Sequence, residues 1–206
     1  MQFAKDEIRK SILKAAREEF LEKGFRDASI RSITARAKTS KSNLYNYFAD
    51  KDALFRAVSE PTLSAIEKGF AAVRARNRTG AGDAYSFEMQ KQYIIAVMEY
   101  VYAHREDVEL LLFCAAGSSL AEYRDTVLDG FTDVLADWLK ITVPDKDISR
   151  FFIRCVAGFY LSSIEGLLIK EVPPHEAAGH FGEFMAFVHG GWSAVLGDAG
   201  KDYNNG

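Results

Sequence analysis

Lys41, Ser42, Asn43, Tyr45, Asn46 and Tyr47 fall within one seven-residue stretch, and each carries a hydrogen-bonding group. The chemistry open to such a set is recognition. Lys41 can neutralise a phosphate or bond a guanine edge, and the amides of Asn43 and Asn46 match the donor–acceptor pair on an adenine edge. Ser40, Tyr45, Tyr47 and Lys51 suit phosphate oxygens, which position a protein on a duplex without reading sequence. Backbone donors at helix starts near residues 41 and 51 would add to this.

Reading a base edge needs a rigid support, and the flanking sequence supplies one. Apolar residues recur at spacings of three and four, whereas strand alternation and hairpin turns are absent, so an all-α fold is expected. Ile8, Ile12, Ala16 and Phe20 make one helical stripe, which Gly24 can end. Ser29 can cap a short second helix that buries Ile30, Ile33 and Ala37. Ser40 can cap a third over about 41–47, with Leu44 and Phe48 facing inward. Asp50 can cap a fourth, from Lys51 to about Arg76, in which Pro61 predicts a kink or break near 57–61. Two short helices joined by a tight turn at about 29–47 have the plan of a helix–turn–helix, whose second helix enters the major groove.

At these residues the sequence becomes recognisable. Ser29-Ile-Arg-Ser-Ile-Thr-Ala-Arg-Ala37, Ser40-Lys-Ser-Asn-Leu-Tyr-Asn-Tyr-Phe48 and Lys51-Asp-Ala-Leu-Phe55 resemble the TetR family of helix–turn–helix transcriptional regulators. The likeness runs from about Ile8 to Phe55, and its core is Leu44-Tyr45-x-Tyr47-Phe48-x-x-Lys51. It implies a three-helix DNA-binding head over 1–50, a helical ligand-binding and dimerisation body over 51–198 and a frayed tail over 199–206. It further implies double-stranded DNA as partner, contacted by Ser29, Arg31 and the stretch Thr39, Ser40, Lys41, Ser42, Asn43, Tyr45, Asn46 and Tyr47, with Lys51 on a phosphate. Two positions depart from the family pattern. Lys38 stands in the turn where glycine is usual, which predicts a positive φ costing about 1 kcal/mol. Ser42 also replaces a frequent glycine, so operator preference does not carry over from a relative.

Beyond the head the periodicity predicts a loop over 77–86, then helices over 87–103, 106–116, 120–141, 147–170 and 175–196. Small residues recur every four positions in the last two. Gly158, Ser162 and Gly166 form one stripe, and Ala178, Gly182, Ala186, Gly190 and Ala194 another, flanked by Phe181, Met185, Val188 and Trp192. Glycine inside a helix costs about 1 kcal/mol relative to alanine, which close helix packing would offset. The stripes, with the resemblance, predict a homodimer interface at Gly158, Ser162, Gly166, Gly182, Met185, Ala186, Gly190 and Trp192. A small-molecule effector is expected in the aromatic-rich body, with Tyr93, Tyr100, His104, Phe113, Trp138 and Glu165 as candidate contacts. Effector binding would move the fourth helix and change the spacing of two heads on a near-palindromic operator, and repression is the expected mode.

Composition and charge bound the remaining classes. The 206 residues are 48% hydrophobic and 27% charged, enough apolar content for a core. Residues 1–60 hold 13 Lys/Arg against 9 Asp/Glu, and 61–206 hold 13 against 20, so a head of net charge +4 precedes a body of −7. A basic head fits a polyanion. Cys114 and Cys155 lie in apolar stretches and form no disulfide framework, which fits the cytoplasm. No apolar run of about 18 residues is evident and residues 1–10 lack an apolar signal core, so neither a membrane span nor a signal peptide is expected. Catalysis is not expected, nor any cofactor or metal. Cys114 and His104 form no local dyad, His175, His180 and His189 lack the spacing of a helical zinc pair, and no phosphate loop or serine elbow occurs. The principal alternative is a helical adaptor that binds only protein.

Overall fold

A computed structural model of the chain describes residues 2–78 and 87–197. Among the described residues there are helices and no strands. They are α1 (Gln2–Asp27), α2 (Ile30–Arg36), α3 (Lys41–Tyr45), α4 (Lys51–Arg78), α5 (Phe87–Ala103), α6 (Arg105–Phe113), α7 (Tyr123–Thr142), α8 (Arg150–Ile169) and α9 (Pro174–Leu196). The expected order holds, and most boundaries differ by a few residues. Pro174 sits inside the start of α9 rather than before it, because a first-turn N–H has no helical acceptor to lose. Of the loop expected over 77–86, residues 77 and 78 are helical and the remainder lies outside the described residues, as does the tail at 199–206.

Two expectations are corrected. The break expected at Pro61 is absent: α4 is a single helix through it. Buried Leu54, Phe55, Ser59, Thr62 and Leu63 hold the helix on both sides of the proline, and their packing outweighs the lost hydrogen bond. The expectation that no segment is apolar enough to span a membrane is also too strong. Helix α8 has the length and a mean hydropathy of 1.5, and only 44% of that window is buried. Its apolar residues go two ways: Ile153, Ala157, Leu161 and Leu168 into the core, Phe151, Phe159 and Ile169 to the surface.

The chain packs as two units. The first comprises residues up to Glu67 together with Glu106–Asp125, and the second Lys68–Arg105 with the residues from Thr126. The packing boundary between Glu67 and Lys68 falls within α4.

In the first unit the rings of Phe20, Phe25 and Phe55 meet at 5.0 to 6.0 Å, surrounded by Ile12, Ala16, Ile33, Leu44, Leu54, Leu110 and Leu111. Gly24 interrupts α1 at φ 70°, a conformation that disfavours side chains, and this turns Phe25 N–H onto the Cys114 carbonyl at 2.7 Å. Arg17 secures α6 through Asp107 at 2.5 Å and Glu106 at 2.8 Å.

In the second unit Trp138, Ile153, Tyr160, Leu161 and Trp192 are buried, with the two indoles edge-on at 5.3 Å. Gly130 of α7 is required, because a Cβ there would collide with the Phe70 ring of α4. Basic side chains close two helix ends in this unit. Lys146 Nζ donates to the carbonyls of Val195 and Leu196 at the end of α9, and Arg105 Nη2 donates to that of Leu168 at the end of α8.

Candidate functional site

The site in the first unit begins with a short helix held at both ends. Ser40 has an extended backbone and its hydroxyl accepts the Asn43 N–H at 3.1 Å, the expected cap of α3. Such a cap contributes about 1 kcal/mol. Leu44 is fully buried beneath it. Asp50 caps α4 as expected, its carboxylate accepting the Ala53 N–H at 2.7 Å. Lys38 has φ 50°, the strained turn that the sequence implies.

With Leu44 inward, Lys41, Ser42, Tyr45 and Asn46 lie exposed on the outer side of α3 and its C-terminus, and Ser29, Arg31 and Ser40 are exposed nearby. Lys41 Nζ stands 5.8 Å from the Tyr45 ring centre, a cation–π pair one helical turn apart. Thr39 and Asn43 are half-buried, and Asn43 Nδ2 donates to Thr39 Oγ1 at 2.8 Å, which fixes the amide's orientation.

Three expected roles are revised. Tyr47 does not stand on the outer face. The helix ends at Tyr45, and Tyr47 is half-buried against the core. Ser29 occupies the cap position of α2 without a side-chain cap; its N–H donates to Glu19 Oε1 instead, at 3.2 Å. Lys51 is already engaged. Its ammonium donates to the carbonyls of Phe25, Arg26 and Ala28 at 2.8, 3.2 and 3.1 Å and lies 4.6 Å from the Phe25 ring centre. An ammonium has three protons, and all three are placed. Lys51 thus ties the start of α4 to the turn between α1 and α2.

Sequence reasoning missed Glu19. Its carboxylate is fully buried, accepting the Ser32 hydroxyl at 2.5 Å and the Ser29 N–H, with Lys23 at 3.2 Å and Arg36 at 3.4 Å. Burial is the largest single influence and opposes ionisation. The bonds from Ser32 and Ser29, with the Lys23 ammonium, outweigh it and hold the carboxyl below its ordinary value. The signal was its place one residue before Phe20, three after Ala16, beside the buried stripe of α1. Arg36 extends this brace by gripping Glu22 through both terminal guanidinium nitrogens.

In the second unit the six candidate effector contacts are not assembled. Trp138 belongs to the indole pair, and Glu165 is buried within α8. His104 is exposed, its ring 4.5 Å from that of half-buried Tyr100. Tyr93 is half-buried, and desolvation pushes its hydroxyl up to about 12. Phe113 is exposed and belongs to the first unit. None of the six lines the cavity of about 730 Å³ between α5 and α9. That cavity is walled by Ile95, Met98, Glu99 and Tyr102 of α5 and by Pro174, Ala177, Ala178, Phe181, Gly182, Met185 and Ala186 of α9.

The residues expected at a subunit interface also divide. Met185 and Trp192 are buried in their own subunit, and a Cβ on half-buried Gly158 would touch Leu128 of α7. Gly182 and Ala186 line the cavity, while Ser162 and Gly190 are exposed and Gly166 is half-exposed. The apolar surface lies elsewhere. Phe151, Phe159 and Ile169 of α8 and Phe187 and Val195 of α9 are 79, 46, 63, 70 and 38% exposed. The Phe159 ring lies 4.9 Å from Phe184 and 5.8 Å from Phe187, joining the two helices in one aromatic surface. Sequence periodicity pointed to these helices but did not single out their exposed rings.

The comparisons agree with this geometry. Residues 12–58 match the bacterial regulatory proteins, tetR family. A TetR-like transcriptional regulator from Rhodococcus sp. RHA1 is 19% identical with a TM-score of 0.65, covering 93% of this chain and 97% of its own. NalD, the secondary repressor of the MexAB-OprM multidrug efflux pump in Pseudomonas aeruginosa, is 18% identical with a TM-score of 0.61, covering 87% and 94%. A gamma-butyrolactone receptor (ArpA like protein) is 20% identical with a TM-score of 0.61, covering 86% of each chain. No curated protein matches the chain by sequence. The head that α3 completes matches the tetR-family model over residues 12–58, and the chain as a whole shares the helical fold of these solved structures.

Proposed function

We propose that the protein is a cytoplasmic transcriptional repressor that binds a near-palindromic operator as a homodimer and releases it when a small molecule enters the helical body. The observation that carries this reading is the outer side of α3. Lys41, Ser42, Tyr45 and Asn46 are exposed on a capped helix whose other side is sealed by Leu44. A helix so held can enter a major groove without rearranging, and its side chains match base edges and phosphates. Ser29, Arg31, Thr39, Ser40 and Asn43 support that surface. Lys51 serves it as a brace. Exposed Lys41 and Arg31 supply the phosphate charge, so affinity falls steeply with salt.

The second subunit is called for by the aromatic surface of α8 and α9. Exposed rings on two packed helices, with Phe159 and Phe187 in contact, mark an interaction site. A two-fold axis through it makes the patch its own complement and presents two heads to a symmetric site. The cavity between α5 and α9 is the effector site in this reading, and α4, which runs from the first unit into the second, is the element that effector binding displaces.

Selection of bound duplexes from a random pool tests the proposal, combined with sedimentation of the free protein. A recovered site with two-fold symmetry and a dimer at micromolar concentration are expected. Recovery of no preferred sequence at low salt would overturn the DNA reading and favour a protein-binding adaptor.

A further inference from the structure

The walls of the α5–α9 cavity specify a class of ligand, an inference that rests on the reading of this cavity as the effector site. Apart from Glu99, every wall residue is apolar or, like Tyr102, has its polar atom engaged: the Tyr102 hydroxyl donates to the Val172 carbonyl at 3.0 Å. Glu99 is therefore the one charged group on the wall among the described residues. Its carboxylate is exposed and has no ion pair there, in contrast to Asp129 and Asp133 of α7, which face Arg154 and Arg150. The two helices carry the same bias in sequence: Glu88, Glu99, Glu176 and Glu183 against Lys91, with no Lys or Arg in α9.

We propose that this cavity binds an amphiphilic cation, with an apolar chain on Met98, Phe181 and Met185 and a protonated amine or quaternary ammonium beside Glu99. An apolar trough strips water from whatever enters it, so the sign of the single charge at its edge selects among amphiphiles of equal chain length. Thioethers and small residues accommodate a chain without fixing its shape. Ala178, Gly182 and Ala186 keep one wall low: a Cβ added at Gly182 would meet nothing within 4 Å.

The test is calorimetric titration of the full-length dimer, without DNA, with decyltrimethylammonium and with decyl sulfate below their micelle concentrations, while helical content is monitored. The cation should bind at least about tenfold more tightly than the anion. Glu99→Gln should weaken the cation about fivefold, in the range of an exposed ion pair, and strengthen the anion about twofold by removing its repulsion, so that the preference disappears. Gly182→Leu, which fills the trough, should abolish binding of both and leave the dimer intact. Equal affinities in the unaltered protein, or a preference that survives Glu99→Gln, would overturn the proposal. So would conversion of Gly182→Leu to a monomer, since the trough would then be the seat of a second subunit. A bound cation that leaves operator affinity unchanged would refute effector release at this cavity and leave the ligand class standing.

Discussion

The two units differ in how many aromatic rings they leave uncovered. In the first, Phe20, Phe25 and Phe55 form an almost wholly buried cluster, and the exposed rings, Tyr45 and Phe113, stand singly on α3 and α6. In the second, Trp138, Tyr160 and Trp192 are inside, while Phe151, Phe159 and Phe187 stand in solvent. Burying an aromatic side chain contributes about 2–3 kcal/mol. A helical body that leaves several such rings uncovered holds that energy in reserve for a partner. On the proposed function, the head is finished as a single chain and the body by association.

Replacing the rings that distinguish the body is the most severe way to break this contrast. The double variant Phe159→Glu with Phe187→Glu is expected to be monomeric by sedimentation, with unchanged helical content by circular dichroism. Operator affinity should fall at least about 100-fold, because a single head loses the linkage to its twin. A dimer that persists would mean that the exposed rings are not the subunit contact.

The head sharpens the contrast through two lysines of different employment. Lys41→Ala with Tyr45→Ala removes exposed groups, so operator affinity should fall by about 2 kcal/mol in total with Tm unchanged. Lys51→Ala should do the reverse. It strips three carbonyls of their charged donor, costing about 1–2 kcal/mol of head stability. Operator affinity, measured where the variant remains folded, should change much less. A Lys51→Ala protein with normal Tm and no DNA binding would return Lys51 to the phosphate backbone.

Much of the head was legible in sequence because its signals are local. A serine or aspartate three residues before its target N–H, a leucine at the buried phase of a five-residue helix and a lysine in a turn are each read from neighbours in the chain. Lys51 was legible as a motif member but not in its role, since its acceptors lie 23 to 26 residues earlier. The body was legible only as a series of helices. Periodicity of three and four marks an apolar face, but α9 has three: a core side with Met185 and Trp192, a trough side with Gly182 and Ala186, and an aromatic side with Phe187. Which face meets which neighbour depends on helix crossings that no local spacing encodes.

Acid probes the buried brace of the head. Glu19 is held below its ordinary carboxyl value, 4.5, so its contribution is complete above that pH and is lost as pH falls through the lower folded-state value. Glu19→Gln should therefore lower Tm at neutral pH, and its gap from the unaltered protein should narrow progressively below about pH 4.5. A gap that stays constant with pH would show that the brace works through hydrogen bonds alone, without its charge.

The smallest expected effect lies at Lys38, and it runs towards greater stability. At φ 50° a lysine Cβ crowds the backbone, whereas glycine accepts the same turn without strain. Glycine also gives the unfolded chain more freedom, which offsets part of the gain. The net expectation for Lys38→Gly is about 0.5–1 kcal/mol of stabilisation, or a Tm higher by about 1–3 °C. The side chain is exposed beside α3, so the same variant asks whether the strain serves binding. Operator affinity that holds while Tm rises makes Lys38 a tolerated departure from glycine. Affinity that falls by about fivefold, with a shallower salt dependence, makes its ammonium a phosphate contact and the strained turn a means of placing it.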